Sequence, residues 1–240
     1  MKPYIVANWK MNFSISESIR LAEEVMNGIG QPEVNVVLCP SFVSLAPVSK
    51  VLASQTVALG AQDVFFEKNG AFTGEVSIEM LKDAGCAYVI VGHSERRALG
   101  ENNDDVRRKI SATLSAGLRA IVCVGETLAD RKAGTGTEYV QSQLRSALRE
   151  IVSEDVLVAY EPIWAIGTGV EAKAEQTVPM LKDIQETLSG LGIAAPILYG
   201  GSVKSDNARR FVDEGYAGVL DGSASWQSES FVGIVKAIAD

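Results

Sequence analysis

The chain has 240 residues, 47% of them hydrophobic and 22% charged, with a net charge of −8. That balance builds one large globular core and excludes a disordered chain, and the acidic surplus argues against a nucleic-acid surface. A small anionic substrate stays open, because a few local cations outweigh a distant acidic surface. No apolar run approaches the ~18 residues of a membrane span, and the N-terminus MKPYIVANWK lacks a signal-peptide pattern, so a cytoplasmic protein is expected.

In chain order, short Val/Ile/Leu/Ala runs alternate with segments of helical period. The first strand is expected over Tyr4 to Trp9, and Asn8 and Lys10, two apart, share a face if the backbone stays extended. Ser14-Ile15-Ser16-Glu17 has capping-box spacing and opens a helix over Ser16 to Met26. Strands follow over Val34 to Cys39 and Val57 to Gln62. The connection from Gln62 to Glu75 is long, and Phe65, Phe66 and Phe72 read as exposed within it.

The fourth strand, Ala87 to Gly92, runs into Gly92-His93-Ser94-Glu95-Arg96-Arg97 and carries the chain's one histidine. At a helix start the dipole disfavours imidazolium, so a neutral ring is expected. Arg96 and Arg97 read as braces for carboxylates such as Glu75 or Glu95. A helix over Asp104 to Ala116, a strand over Ala120 to Val124 and a helix over Tyr139 to Val152 come next.

The sixth strand, Val156 to Tyr160, delivers Glu161 at its end, where a charge interrupts an apolar run. The apolar segment Ile163 to Ile166, followed by Gly167 and Gly169, reads as a lid. Pro179 precedes a helix over Met180 to Leu188 and should kink or restart it. The last strands, Pro196 to Tyr199 and Gly218 to Leu220, lead into Gly200-Gly201-Ser202 and Gly222-Ser223-Ala224-Ser225. Bare amides beside a hydroxyl suit phosphate oxygens. Each group also has a plain structural reading: Glu161 as a helix cap, Lys10 as a solvated strand exit, His93 as a satisfied core residue.

Eight buried strands alternating with helices predict a single-domain (β/α)8 barrel of eight parallel strands over residues 1 to 240. The runner-up, an open doubly wound sheet, needs a nucleotide fingerprint that the chain lacks. In a barrel, chemistry belongs at the C-terminal strand ends, with phosphate sites after strands seven and eight. Cys39, Cys86 and Cys123 sit in separate apolar runs and read as reduced core residues, not as a disulfide or zinc set. No ligand spacing for a metal is present.

Five ordered stretches spanning the chain resemble the triosephosphate isomerase family: Asn8-Trp9-Lys10-Met11-Asn12, Gly70-Ala71-Phe72-Thr73-Gly74-Glu75, Gly92 to Arg97, Ala159 to Gly169, and Tyr199-Gly200-Gly201-Ser202-Val203. The resemblance implies interconversion of dihydroxyacetone phosphate and glyceraldehyde 3-phosphate, in glycolysis and gluconeogenesis, without a cofactor. It makes Glu161 the base, His93 the neutral electrophile and Lys10 the cation, with Asn8 beside Lys10 and Glu95 close to it. Gly167, Ser202, Gly222 and Ser223 would hold the phosphate. A homodimer is implied, through the Gln62 to Glu75 loop carrying Thr73.

Asp221-Gly222-Ser223 departs from the family's usual apolar residue and two glycines. Asp221 is expected to weaken phosphate binding by like-charge repulsion unless its carboxylate turns away or meets a cation. The far lid hinge, Val170-Glu171-Ala172, also differs. Two rivals stay open: another phosphate-binding barrel enzyme, and a catalytically weak relative serving as a scaffold or binding protein.

Overall fold

The computed structural model describes residues 1–52, 57–166 and 172–239. Eight parallel strands close on themselves in sequence order: β1 Tyr4–Asn8, β2 Asn35–Cys39, β3 Val57–Ala61, β4 Tyr88–Val91, β5 Arg119–Val124, β6 Val156–Tyr160, β7 Ile197–Tyr199 and β8 Gly218–Asp221. Closure is direct, with Ala7 of β1 beside Asp221 of β8. The helices are α1 Ile15–Ile29, α2 Leu45–Leu52, α3 Ile78–Asp83, α4 Ser94–Ala98, α5 Asn103–Ser115, α6 Leu128–Lys132, α7 Gly136–Ala147, α8 Ala174–Gly190, α9 Ala208–Asp213 and α10 Ser228–Ala239.

Strand alternation divides the core in two. Val6, Val37, Cys39, Ile90, Ile121, Cys123, Leu198 and Leu220 fill the barrel interior. Ile5, Ala7, Leu38, Val89, Val122, Val158 and Val219 face the helices. All three cysteines are free and buried, and burial pushes the Cys86 thiol up to about 12. Ser14 caps α1 as its spacing predicts: its Oγ accepts the Glu17 amide while Glu17 Oε2 accepts the Ser14 amide at 2.8 Å.

Three expectations need correction. β1 ends at Asn8, because Lys10 adopts a left-handed φ of 53° that no strand can hold. α7 begins three residues before Tyr139 and stops at Ala147, short of Val152, where Glu150 also turns left-handed with φ 67°. α8 begins at Ala174 and runs unbroken through Pro179. Proline there removes one intrahelical donor, a loss outweighed by burying Thr177, Met180, Leu181, Ile184 and Leu188 on one face.

Candidate active site

The chemistry-bearing groups meet where β1, β4 and β6 end. Lys10, His93, Glu161, Ser202, Asp221 and Gly222 line one small cavity there, of about 80 Å³. Roomier surface depressions lie between α1 and α2, lined by Glu23 and Lys50 among apolar side chains, and at the opposite end of the barrel, but neither brings an imidazole, a carboxylate and an ammonium together. Chemistry, not size, marks the site.

Lys10 reaches the mouth through its turn. Asn8 Oδ1 accepts the Lys10 amide at 3.1 Å, and Gln62 Nε2 donates to the Lys10 carbonyl at 2.9 Å. These two bonds hold a backbone conformation that costs a non-glycine residue about 1 kcal/mol. Lys10 Nζ then donates to Glu95 Oε1 at 2.6 Å. Asn8 is therefore a support for Lys10 as well as a mouth residue.

His93 is the N-cap of α4, and its Nδ1 accepts the Glu95 amide at 3.2 Å. An accepting Nδ1 carries no hydrogen, so the proton of the neutral ring sits on Nε2. Nε2 lies 2.9 Å from Glu161 Oε1, and Glu161 Oε2 accepts the Ser94 amide at 2.9 Å. The carboxylate is 1% exposed and rests wholly against α4's N-terminus. Gly200 makes room for it, since a Cβ there would come 3.1 Å from Glu161 Cγ.

The helix-end argument for a neutral ring covers one of two opposed influences. Burial lowers the pKa of His93, the facing Glu161 carboxylate raises it, and the net shift is upward. Stability from this pair is full below pH 6.5, the ordinary histidine value, and fades as pH rises through the raised folded value. In Glu161→Gln the raising charge is gone while burial and Lys10 remain, so the His93 pKa is expected to fall below that of the parent. The single histidine makes magnetic-resonance titration of the ring unambiguous, and an unchanged pKa would contradict the pairing.

The arginines brace different partners from those expected. Arg96 Nε lies 3.0 Å from Asp63, while Arg97 donates to the Gly92 carbonyl at 2.7 Å and to Asn103 Oδ1 at 2.7 Å. Glu95 is taken by Lys10 and Glu75 is exposed. Strand alternation puts Asp221 on the same side as Val219, yet it still borders the cavity, and its Oδ2 accepts the Ser225 amide at 2.7 Å. Ser202 Oγ donates to the Ala165 carbonyl at 2.9 Å, tying the β7 exit to the 3-10 turn Ile163–Ala165. Gly222 and Ser223 follow β8 as expected. Gly167, Gly169, Val170 and Glu171 of the expected lid lie outside the described residues.

One participant escapes the sequence reading. Glu126, fully buried after β5, accepts from Trp164 Nε1 at 2.8 Å and from the Tyr160 hydroxyl at 3.0 Å, with Arg131 at 3.3 Å. It anchors the turn that leads out of Glu161. Its place at a strand exit is a legible signal, hidden because Gly125 separates it from the apolar run.

Fold and site together define a (β/α)8-barrel enzyme whose mouth gathers the Glu161 carboxylate, the His93 imidazole and the Lys10 ammonium. A family model described as triosephosphate isomerase matches residues 3–238. The chain is 46% identical over 248 positions to the triosephosphate isomerase of Cytophaga hutchinsonii, covering 98% of each. It is 43% identical over 246 positions to that of Prosthecochloris aestuarii, covering 98% of each, and 45% identical over 248 positions to that of Chloroflexus aurantiacus, covering 97% of this chain and 98% of the relative. The chain belongs to the triosephosphate isomerase family.

Proposed function

We propose that this protein interconverts dihydroxyacetone phosphate and glyceraldehyde 3-phosphate by proton transfer through an enediolate, a step of glycolysis and gluconeogenesis. The observation that carries the reading is the convergence of Glu161, His93 and Lys10, from three distant strands, on one cavity. Glu161 takes the hydron from carbon 1, the C–H electrons form the carbon 1 to carbon 2 double bond, and the carbonyl oxygen gains the negative charge. His93 Nε2–H donates to that oxygen, displacing Glu161 Oε1 from its contact, and Lys10 lowers the energy of the charge from the side. The proton of the carbon 1 hydroxyl passes by way of His93 Nε2 to the oxygen on carbon 2, Glu161 returns the hydron to carbon 2, and carbon 1 is left as the aldehyde. Substrate and product share one oxidation level, so the chemistry asks for no redox cofactor.

Glu95 acts through Lys10, holding the ammonium in place, and Asn8 fixes the Lys10 backbone. Ser202, Gly222 and Ser223, with Gly167, hold the phosphate through backbone amides and hydroxyls. Water must be kept out, because a solvated enediolate eliminates phosphate. The rival reading of a weak relative rests on Asp221, whose carboxylate accepts the Ser225 amide beside the cradle. A coupled isomerase assay tests the function. Turnover of dihydroxyacetone phosphate is expected, and its absence in folded protein would overturn the reading.

The reading extends to a homodimer through the Gln62 to Glu75 loop. Phe65 and Phe66 are half-buried, packed at 4.3 Å between ring centres, with Arg108 over Phe66, so of the three rings only Phe72 stands exposed. Phe72 joins Met11, 96% exposed beside Lys10, and Leu99 at the end of α4 in asking for cover. Sedimentation at micromolar concentration should give the mass of two chains, and a monomer would contradict the pairing. Three buried free thiols fit work in the reducing cytoplasm.

A further inference from the structure

Asp221 is a buried carboxyl group that the proton transfer does not use. It is 2% exposed, closes β8, and accepts the Ser225 amide at 2.7 Å, and the nearby Ala224 and Gly222 amides also favour its ionised form. This is the turn whose Gly222 and Ser223 would hold the phosphate. Lys10 lies against it from the other side: a Cβ on Gly222 would come 3.1 Å from Lys10 Cε and 3.7 Å from Nζ.

We propose that Asp221 is a positioning residue of the phosphate cradle, whose ionised carboxylate draws on the same turn amides and the same lysine as a bound dianion, so that dianion binding takes up a proton there. The inference rests on the reading of residues 222–223 as the cradle. Burial pushes the carboxyl up to about 7, against the pull of the Ser225 amide and then of Lys10, so both forms are populated near neutrality. A dianion settling on this turn raises the cost of the carboxylate further, because like charges then share a water-poor site. Among the described residues, the neighbouring groups are few. The β1 exit brings Lys10, and His93 and Glu161 face it across the cavity. Among the described residues, the 223–226 turn brings amides and hydroxyls but no titratable side chain, the β7 exit brings the buried Tyr199 phenol and, past Ser202, the exposed Lys204, and Glu229 at the start of α10 is exposed.

The probe is inorganic sulfate, which keeps both charges from pH 6 to 8, so a change in affinity over that range belongs to the protein. Calorimetry at constant ionic strength on the whole chain and on Asp221→Asn gives the two slopes. The parent is expected to lose up to about tenfold more affinity between about pH 6 and pH 8 than Asp221→Asn, the equivalent of about one pKa unit. Asn keeps an acceptor for the Ser225 amide. A raised carboxyl pKa also means that the ionised form costs the fold stability above it, so the neutral variant is expected to fold.

As a second measurement, sulfate binding near pH 7.5 in two buffers of different ionisation enthalpy counts protons in the parent and in Glu161→Gln, which lacks the other cavity carboxylate. Net uptake in both supports the proposal; zero or release overturns it. Equal slopes for parent and Asp221→Asn also overturn it, and leave the cradle standing. No sulfate binding by any of these proteins overturns cradle and proposal together.

Discussion

Glu161→Gln is expected to lower kcat by about 10²- to 10⁴-fold while KM changes little, since a positioned general base contributes that much and an amide of the same size binds nothing less of the substrate. Geometry sets this expectation. Glu161 is the carboxylate at the cavity that is free of a cation, its Oε2 held by the Ser94 amide and its Oε1 facing His93 Nε2. Glu95 cannot replace it, being engaged with Lys10 at 2.6 Å, and Asp221 is held by the Ser225 amide at 2.7 Å. A coupled assay on both proteins checks the expectation, and a kcat within threefold of the parent would remove Glu161 from the base's role.

Lys109→Met is expected to cost about 3 kcal/mol of unfolding free energy, near the lower end of the range for breaking a buried ion pair. Lys109 Nζ donates to Asp63 Oδ1 at 2.6 Å and to Glu101 Oε1, and all three side chains are nearly inaccessible. Removing the ammonium leaves Glu101 without its cation, whereas Asp63 keeps Arg96 at 3.0 Å, which is why the upper end is not expected. The cluster ties the β3 exit to α5, one residue past Gln62, which holds Lys10 through its carbonyl. Denaturant unfolding at one fixed protein concentration measures the difference. A loss under 1 kcal/mol would show that the carboxylates find other partners or protons.

The barrel is legible in the sequence because buried parallel strands are continuous β-branched runs, and all eight expected strands end within two residues of the observed ones. Glu161, His93 and Lys10 are legible for a related reason: each ends an apolar run where a polar group is out of place. Orientation imposed from far along the chain is not legible. The left-handed turn at Lys10 depends on Gln62, fifty-two positions away, and the partners of Arg96 and Arg97 depend on how β3 and α5 meet α4. Asp221 is readable in part, since one step past the inward Leu220 turns a side chain outward. Its engagement with Ser225 is not, because no local pattern announces a turn after β8 that folds back over the strand end.

Deuterium incorporation tests most directly whether a carboxylate carries the hydron between the two carbons. When the protein converts dihydroxyacetone phosphate in heavy water, with product trapped as it forms, deuterium should appear at carbon 2 of glyceraldehyde 3-phosphate, because hydron held on Glu161 exchanges with solvent before it is returned. Product free of deuterium at carbon 2, formed as fast by Glu161→Gln as by the parent, would mean direct transfer between the carbons and would contradict Glu161 as the hydron's carrier.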